Sequence, residues 1–451
     1  MNSLWERKML SRLIPAVMIV LGSAAGVGAT AGGAPVPPAV PSRPLSLAEC
    51  TAIALENNPQ VTSAEQGVIS ARAGLTRARS SYYPQVSLDA MEGFSDSGIP
   101  SYSGPTDRLQ QASIGVGQTL WRRGREDSVA QSKASLHAAE FGRTSTLQSL
   151  VDQVASDYYS VLATSQLVGV ADAGAASAQS HLDQVKARIT LGAAAEVDVY
   201  PAEDDLARAR LDLIDARGNM RLAVARLKNS MGVPPSTDLQ VAESAAAEEA
   251  EPPSLPQALE TALGGRPDVL ASAASVDTSR SALNLARIRR GPVADISGGY
   301  SQYYDDWRSE LWSWDVALSV SYPLFDGYAT KADETAARAS LARAQADYQR
   351  VINQVGLEVE SALVEVERTR ERVTASAASV AAADARLAAA EGKYQQGIGI
   401  LIEVIDARVA VTNARASQVQ ARYDYQTALV GLRLALGTLA VPEAGSSRAD
   451  R

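Results

Sequence analysis

The chain contains one pattern of sequence features twice. Residues 46–230 and 254–436 follow the same order of features, displaced by about 205 positions. The matching pairs include Pro59 with Pro267, Pro84 with Pro292, Leu120 with Leu324, Gly192 with Gly397, and Gly232 with Gly437. In each copy the pattern predicts a short helix, a second helix, two strands, and two long helices joined at a glycine. The chain is therefore expected to be an internally duplicated α+β protein.

Composition excludes several classes of function. The formal net charge is -9, and no block of Lys or Arg is present, so nucleic acid is not an expected partner. One Cys and two His leave little for thiol chemistry, zinc binding or His-based catalysis. Cys50 is expected to be a small buried residue on the first helix. No metal site and no cofactor are predicted.

The N-terminus has the organisation of a secretory signal. Arg7, Lys8 and Arg12 flank an apolar stretch at residues 13–21, and Ala29-Thr30-Ala31 offers a cleavage site. We predict a signal peptide at 1–31, an N-terminal tail at 32–44, and export; an uncleaved anchor is the alternative. No other stretch approaches 18 consecutive apolar residues, so membrane contact would have to come from strands.

The long helices are predicted from apolar residues repeated every seven positions. The first copy has Val154, Val161, Val168, Ala175, Leu182 and Ile189, then Val199, Leu206, Leu213, Met220 and Leu227. The second copy has Val359, Val366, Val373, Val380, Leu387 and Tyr394, then Val404, Val411, Tyr425 and Leu432, with polar Gln418 as the exception. Such a repeat keeps one face of each helix against a partner helix.

These patterns place long helices at about 126–190, 197–231, 330–395 and 402–437. The longer ones would reach about 100 Å at about 1.5 Å per residue. A soluble coiled-coil rod is the alternative on this pattern alone. The helix pairs reverse at Gly192 and Gly397, with Arg188 and Lys393 in the preceding turns, where glycine and cations suit a helix C-terminus.

Four strands are predicted from alternating apolar and polar residues, at about 85–95, 111–121, 293–302 and 311–322. Their length suits a tilted crossing of a bilayer, although two hairpins on a soluble core are the alternative. The aromatic residues expected at the membrane interfaces are Trp121, Trp312, Trp314, Tyr322 and Phe325. Four strands cannot close a barrel; a dimer would give a filled barrel, and a trimer one with an aperture.

The remaining segments connect or end the repeats. We divide the chain into a first repeat at 45–232, an acidic, Pro-bearing equatorial linker at 233–253, a second repeat at 254–437, and a C-terminal tail at 438–451. The linker breaks the helical pattern and is expected on the outside at mid-length.

Several motifs together resemble the TolC family of outer-membrane efflux and secretion proteins. They are Leu45-Ser46-Leu47, Ala52 to Pro59, Gln118-Thr119-Leu120-Trp121, Tyr322 to Gly327, Lys393 to Gly397, Glu403 to Ala407, Asn413-Ala414-Arg415, and Ala435 to Leu439. The resemblance covers about residues 45–440, nearly the whole of the expected mature chain.

The resemblance implies a homotrimer in the outer membrane of a Gram-negative bacterium. Twelve strands would form a transmembrane β-barrel, continued by a periplasmic α-barrel of twelve helices. Such a protein would be no enzyme but a passive exit duct for drugs, small molecules or secreted proteins in a tripartite efflux pump or type I secretion system. Its partners would be outer-membrane lipid, a periplasmic adaptor (membrane fusion protein) and an inner-membrane RND, ABC or MFS transporter.

The resemblance also implies where the periplasmic end closes. Glu403 and Asp406 match acidic gate positions, with Asp198 at the matching place in the first copy, and Tyr394 matches an aromatic latch. An ordinary acidic first turn and core packing of Tyr394 are the alternatives.

The two reversals, with Arg188, Gly192, Lys393 and Gly397, match the adaptor-docking tips, although helix capping alone is the alternative for the two cations. Gly399 stands where the family often has a basic latch residue, and Pro201 also departs from the usual pattern.

Two other classes of protein compete with this interpretation. A periplasmic coiled-coil scaffold or adaptor shares the signal and the heptads but leaves the aromatic-ended strands unexplained. A secreted enzyme would need a nucleophile motif, a metal-spaced His cluster or a phosphate loop, and the sequence has none of these. His137 and His181 fall on one predicted helix but far apart, and are expected to be solvated or packed.

Overall fold

The computed structural model describes residues 43–95, 107–192, 195–243, 252–305 and 309–442. The predicted signal peptide lies outside the described residues, as do most of the N-terminal tail, part of the linker and most of the C-terminal tail. None of the described helices has an apolar stretch long enough to cross a bilayer.

The two copies have the same order of elements. The first consists of α1 (Leu47–Asn57), α2 (Pro59–Ser80), β1 (Gln85–Ser95), β2 (Asp107–Arg122), α3 (Arg125–Thr190), a 3-10 turn (Glu196–Asp198) and α4 (Val199–Ser230). The second consists of α5 (Leu255–Gly265), α6 (Pro267–Ile288), β3 (Val293–Asp305), β4 (Ser309–Ser321), α7 (Ala329–Gln395) and α8 (Leu401–Ala435). β2 and β4 begin before the predicted strands at about 111 and 311, and β3 ends after the predicted strand at about 302.

The strands form one antiparallel sheet in the order β1-β2-β3-β4. The pairing register gives the sheet two chemically distinct faces, because side chains alternate along each strand. One face carries Val86, Leu88, Ile114, Val116, Ile296, Tyr300, Trp314, Val316, Leu318 and Val320. The other carries Ser87, Asp89, Ser113, Gly115, Asp295, Ser297, Asp315 and Ser319. The apolar side chains remain exposed; Leu318, for example, is 69% exposed.

The long helices pack in pairs, α3 with α4 and α7 with α8, and α6 packs against both α3 and α7. Heptad positions on α3, such as Val154, Val161 and Leu182, are buried, as are Val359 and Val366 on α7. Farther along α7 the heptad residues are only half-buried. The buried heptad residues also contact helices outside their own pair, since Leu182 packs with residues of both α4 and α8, and Val359 with residues of α5, α6 and α8. Part of the α7 seam stays uncovered.

The segment after α4 packs on the helices rather than lying free. Leu45 forms a parallel β-bridge with Val241, and the Tyr158 hydroxyl donates to the Ala242 carbonyl at 2.6 Å. Leu239 and Val233 are also buried. Cys50 lies buried on α1, as predicted, and burial raises the pKa of its thiol to about 12. The short helix α1 thus packs on α3 and the short helix α5 on α7, and the start of the linker is held against Leu45 and Tyr158.

Candidate functional site

The end of α7 is closed by a glycine in the left-handed conformation. Gly397 has φ 76°, its amide donates to the Tyr394 carbonyl, and the Ile398 amide donates to the Lys393 carbonyl. This pattern satisfies carbonyls that the helix itself leaves free. Gly192 ends α3 in the same conformation, with φ 70°, and its amide donates to the Ile189 carbonyl at 2.9 Å. A left-handed glycine therefore follows each of the two helices of more than 60 residues.

Gly399 completes the turn at the end of α7. Its amide also donates to the Lys393 carbonyl at 3.1 Å, and a Cβ at this position would lie 2.9 Å from the Tyr394 amide nitrogen. A contact that short with backbone requires the turn to move. A basic side chain at 399, as the family often has, is therefore incompatible with this conformation.

Arg188 connects the reversal of the first copy to that of the second. Its guanidinium donates to the carbonyls of Tyr394 and Gln395, at 3.2 and 3.3 Å, and lies 4.6 Å from the centroid of the Tyr394 ring. The sequence suggested a cation that complements its own helix. Arg188 does lie in the last turn of α3, and the structure shows that it also caps the C-terminus of α7, where the helix dipole favours positive charge.

Tyr394 is half-buried and packs on an apolar cluster beneath the reversals. The buried members of the cluster are Ala178, Leu182, Val185, Ala202, Leu206, Leu401 and Ile405. The tyrosine thus has a packing role, which was the alternative to a latch, and a contact with the other copy through Arg188. Lys393, next to it, is exposed.

The predicted gate carboxylates lie on the opposite face of α8 from this cluster. Glu403 and Asp406 are both exposed, whereas Leu401 and Ile405 are buried, because residues three or four apart share a helix face. Neither carboxylate has an ion-pair partner among the residues that the structure describes. Asp198 ends the 3-10 turn before α4 and is half-buried.

A buried polar group that the sequence analysis left unassigned lies below Tyr394. The ring of His181 is 6.0 Å from the ring of Tyr394, and its Nε2 has no hydrogen-bond partner within the described structure. Burial, and then the charge of Arg408, lowers the pKa of His181 to about 4. Arg408 itself donates to the Ser177 carbonyl and pairs with Glu391 at 3.2 Å. Only the packing of α3 against α8 reveals this pair, because the two residues are more than 200 positions apart.

The aromatic residues of the sheet occupy its two ends. Trp121, Tyr322 and Phe325 lie where the strands meet the helices, and Trp312 and Trp314 lie near the opposite end. All five are exposed. From Trp312 to Tyr322 the strand rises about 33 Å at about 3.3 Å per residue, which at a tilt near 45° corresponds to a height of about 25 Å, the apolar band of an outer-membrane barrel.

Comparisons with known proteins identify the family. A family model described as outer membrane efflux protein matches residues 52–233 and 258–438. CyaE from Bordetella pertussis is 26% identical over 323 residues, which cover 69% of this chain and 66% of CyaE. TolC from Vibrio cholerae is 25% identical over 330 residues, which cover 69% of this chain and 73% of that protein.

Solved structures show the same fold. The CmeC outer-membrane channel from Campylobacter jejuni superimposes with a TM-score of 0.78 at 19% identity, covering 88% of this chain and 87% of CmeC. CusC gives a TM-score of 0.77 at 19% identity, covering 87% of this chain and 92% of CusC.

The resemblance to the TolC family is confirmed. The protein is therefore an outer-membrane channel of efflux or secretion systems rather than an enzyme or a scaffold. The duplicated helices and strands, the two-faced sheet and the match to both copies all agree: the chain belongs to the outer membrane efflux protein family.

Proposed function

We propose that three copies of this chain form a passive exit duct, with a twelve-strand barrel in the outer membrane and a tunnel of twelve long helices in the periplasm. The observation that carries the proposal is the isolated four-strand sheet with one apolar and one polar face. An apolar face of this size is stable only against lipid or another apolar surface. The polar face would then line the aperture.

The edges of the sheet support closure of a barrel with the sheets of other protomers. Among the described strands, β1 and β4 each pair with one neighbour only, so each leaves a row of backbone groups unpaired. Unpaired edges are not tolerated in the hydrocarbon of a membrane. Pairing β4 of one protomer with β1 of the next satisfies both edges. A trimer is the smallest closed assembly of this kind that leaves an open interior.

The periplasmic gate would consist of Glu403 and Asp406, together with Asp198. Three-fold symmetry would gather six exposed carboxylates of α8 around one aperture. Like charges held together attract cations and repel one another. The end would therefore be cation-selective, and it would open when the helices separate.

The two reversals would dock a periplasmic adaptor. Their surface exposes large apolar side chains that the chain itself does not cover; Leu191 and Ile398 are 81% and 74% exposed, and Val197 and Ile400 are exposed as well. Clusters of exposed apolar residues mark protein–protein contacts. Arg188, Gly192, Lys393 and Gly397 would hold this surface in place, and the adaptor would connect the duct to an inner-membrane RND, ABC or MFS transporter.

Drugs, small molecules and secreted proteins are the candidate cargoes. One relative, AprF from Pseudomonas aeruginosa, is named for alkaline protease secretion and is 25% identical over 205 residues. Type I secretion therefore stands beside drug efflux as a role for this duct.

Single-channel recording in a planar bilayer tests the duct and its gate. The purified mature trimer should give small, cation-preferring currents that multivalent cations block from one side. Replacing Glu403 and Asp406 with Ala should raise the conductance and weaken the cation preference. The control E367A/E371A removes two exposed carboxylates from α7 and should leave both unchanged. Currents unaffected by E403A/D406A would refute the gate, and failure of the trimer to insert would refute the duct.

The docking tips are tested by substituting the two reversal glycines. A Cβ at Gly192 or Gly397 meets no atom within 4 Å, so Gly→Ala strains only the left-handed backbone, by about 1 kcal/mol per site. The G192A/G397A variant should form a normal amount of trimer but lose export. G142A/G356A, at helical glycines with equally open surroundings, should retain export. Undiminished export by G192A/G397A would refute the assignment.

A further inference from the structure

A basic groove lies where the sheet meets the long helices of the first copy. The groove has a volume of about 540 Å³ and is lined in part by Tyr82, Trp121, Arg122, Arg123, Arg125 and Arg287. We call it the junction groove. A second cleft of about 450 Å³ lies beside it. Arg122 and Arg123 line both clefts, and Arg289 lines only the second. The two arginines at the end of β2 therefore stand between two clefts.

Most of the arginines around the junction groove are already engaged. Arg125 donates to the Thr119 carbonyl at 2.6 Å and lies over the Tyr82 ring. Arg287 pairs with Glu334 at 3.3 Å, and Arg289 pairs with Asp333. These contacts fix the walls of the groove.

Arg122 and Arg123 differ from the other arginines. Both are exposed, and neither guanidinium has a hydrogen bond or ion pair within the part of the chain that the structure describes. The acidic residues of the groove, Glu126 and Asp127, lie in the first turn of α3, where they complement the helix dipole. Two guanidinium groups are thus left to bind an anion.

The second copy builds the same junction without these arginines. Asp326 and Gly327 stand at the positions equivalent to Arg122 and Arg123, and Asp326 accepts a hydrogen bond from the Thr330 amide at 3.0 Å. Folding of the strand-to-helix junction therefore does not require the basic pair. The positive charge is specific to the first copy, which favours a binding role over a structural one.

The groove borders the apolar face of the sheet. Trp121 pairs with Ala294, which pairs with Val320 on that face, and the Trp121 and Leu120 side chains are each about half exposed. An amphipathic molecule with an anionic head and apolar chains matches this surface, because the head would meet the guanidinium groups while the chains lie along the sheet.

We propose that the junction groove binds the anionic headgroup of a membrane phospholipid from the leaflet that faces the periplasm, with Arg122 and Arg123 holding the phosphate. The inference rests on the proposed function, since it requires the sheet to lie in a bilayer. Guanidinium groups bind phosphate through paired, charge-assisted hydrogen bonds. Three such sites would surround the trimer and set its height in the membrane.

Tryptophan quenching by brominated lipids tests the site with a local reporter. A W307F/W312F/W314F background leaves Trp121 as the only Trp of the mature chain if the predicted signal peptide is removed. In vesicles, brominated phosphatidylglycerol should quench Trp121 at a several-fold lower lipid fraction than brominated phosphatidylcholine. Adding R122Q/R123Q should abolish that preference, since each basic group near an anionic surface contributes about fivefold and the loss of two exceeds a several-fold preference.

Matched variants separate binding at the groove from general charge and from folding. R343Q/R350Q removes two exposed arginines about 20–30 Å along α7 and should keep the preference for phosphatidylglycerol. R122K/R123K preserves the charge and should keep most of it. If R122Q/R123Q does not assemble, equal quenching of the parent protein by the two lipids would by itself overturn the proposal.

The remaining outcomes are equally decisive. Loss of the preference when inorganic phosphate replaces chloride at matched ionic strength would assign the groove to a soluble anion and overturn the lipid site. Equal quenching by both lipids in an inserted, conducting trimer would refute this inference alone. A protein that neither inserts nor is quenched by any brominated lipid would refute the proposed duct.

Discussion

The two copies build the same helix junction from different chemistry. Asn58 caps the N-terminus of α2, and its side-chain amide donates to the Ser230 carbonyl at the end of α4, at 2.8 Å. Arg266, the equivalent residue, begins α6 and donates to the Ala435 carbonyl at the end of α8, at 3.2 Å. The backbone dihedrals agree within about 2°, since φ is -71° at both residues and ψ is 126° and 128°.

The surroundings explain how one junction is neutral and the other charged. Arg266 pairs with Asp268 and Glu358, at 2.7 and 2.6 Å. The equivalent residues of the first copy are Gln60 and Gln153, which line a cleft beside Asn58. Each junction thus has a donor for a carbonyl at the end of the long helix, an amide in the first copy and an ion-paired guanidinium in the second.

The largest expected effect comes from the glycines that let these junctions close. A Cβ at Gly232 would lie 2.7 Å from the Asn57 carbonyl oxygen, whereas at Gly437 it would lie 3.0 Å from the Cγ of Arg266 and 3.1 Å from its Cα. Both residues have positive φ. Gly232→Ala should destabilise by about 3 kcal/mol and Gly437→Ala by about 2 kcal/mol, because the shorter contacts at Gly232 require a larger shift of the backbone. Thermal unfolding of both variants would measure the order, and a larger effect at Gly437 would contradict it.

Arg266→Met should destabilise by about 2–3 kcal/mol. The change keeps most of the apolar stem but leaves the Ala435 carbonyl and two partly buried carboxylates without their donor. Arg266→Asn makes the second junction copy the first and should recover part of this loss, since an amide reaches the equivalent carbonyl in the first copy. The denaturation midpoints of R266M and R266N test whether an amide can replace the guanidinium. An equal loss of stability in the two variants would show that it cannot.

Asn58→Ala should destabilise by about 2 kcal/mol. It removes the hydrogen bond to Ser230 and the cap in which the Asn58 side chain accepts from the Gln60 amide at 2.8 Å. Asn57→Ala, which removes only a bond to the Ile53 carbonyl within α1, is the neighbouring control and should cost less. The same unfolding assay compares the stability of N58A and N57A. A larger loss in N57A would argue against the role that Asn58 shares with Arg266, donation to a carbonyl at the end of a long helix.

The charged junction should also make the second copy acid-sensitive. Burial alone would raise the pKa of Asp268, but hydrogen bonds and charge from Arg266 outweigh it and hold this pKa below its usual value. A depressed pKa contributes stability above the unfolded-state value near 4, and this stability is lost as the pH falls through the folded-state pKa. The stability difference between wild type and R266N should therefore shrink below about pH 4. A constant difference from pH 7 to 3 would show that Asp268 contributes nothing.

The smallest effect is expected where the second copy carries strain that the first avoids. Tyr328 precedes α7 with φ 68°, and Gly124 holds the equivalent place before α3 with φ 90°. Tyr328→Gly relieves about 1 kcal/mol of strain but removes an edge-to-face contact with Phe325, at 5.6 Å, of similar size. The melting temperature should change little, and a loss above about 1 kcal/mol would mean that the aromatic contact dominates.

Much of the fold could be predicted because its signals are local and repeated. The seven-residue stripe, the reversal glycines and the alternation of the strands each depend on neighbours within a few positions. The observed bounds of α3, Arg125–Thr190, and of α7, Ala329–Gln395, lie within a residue of the stripes read from the sequence. The start of β2, the end of β3 and the start of β4 extend beyond the predicted strands. The residues at these ends are mostly polar and do not continue the alternation of apolar and polar residues on which the prediction rests.

The candidate site was predicted only in part. Glu403, Asp406 and Tyr394 were named from family motifs, and their role in a gate stays a prediction. His181 and Arg408 carry no signal in their own segments, because their environment comes from the packing of helices distant in sequence. Arg122 and Arg123 could have been found by comparing the copies, since the equivalent positions hold Asp326 and Gly327.

The sequence by itself determined the duplication, the length of the helices, the places where they reverse and the family, because periodicity and turn chemistry are encoded along the chain. Only the tertiary structure decided which helix end Arg188 caps, that the His181 ring is buried, and which arginines of the junction remain unpaired. Those properties depend on which distant residues meet, and spacing within one segment does not encode such meetings.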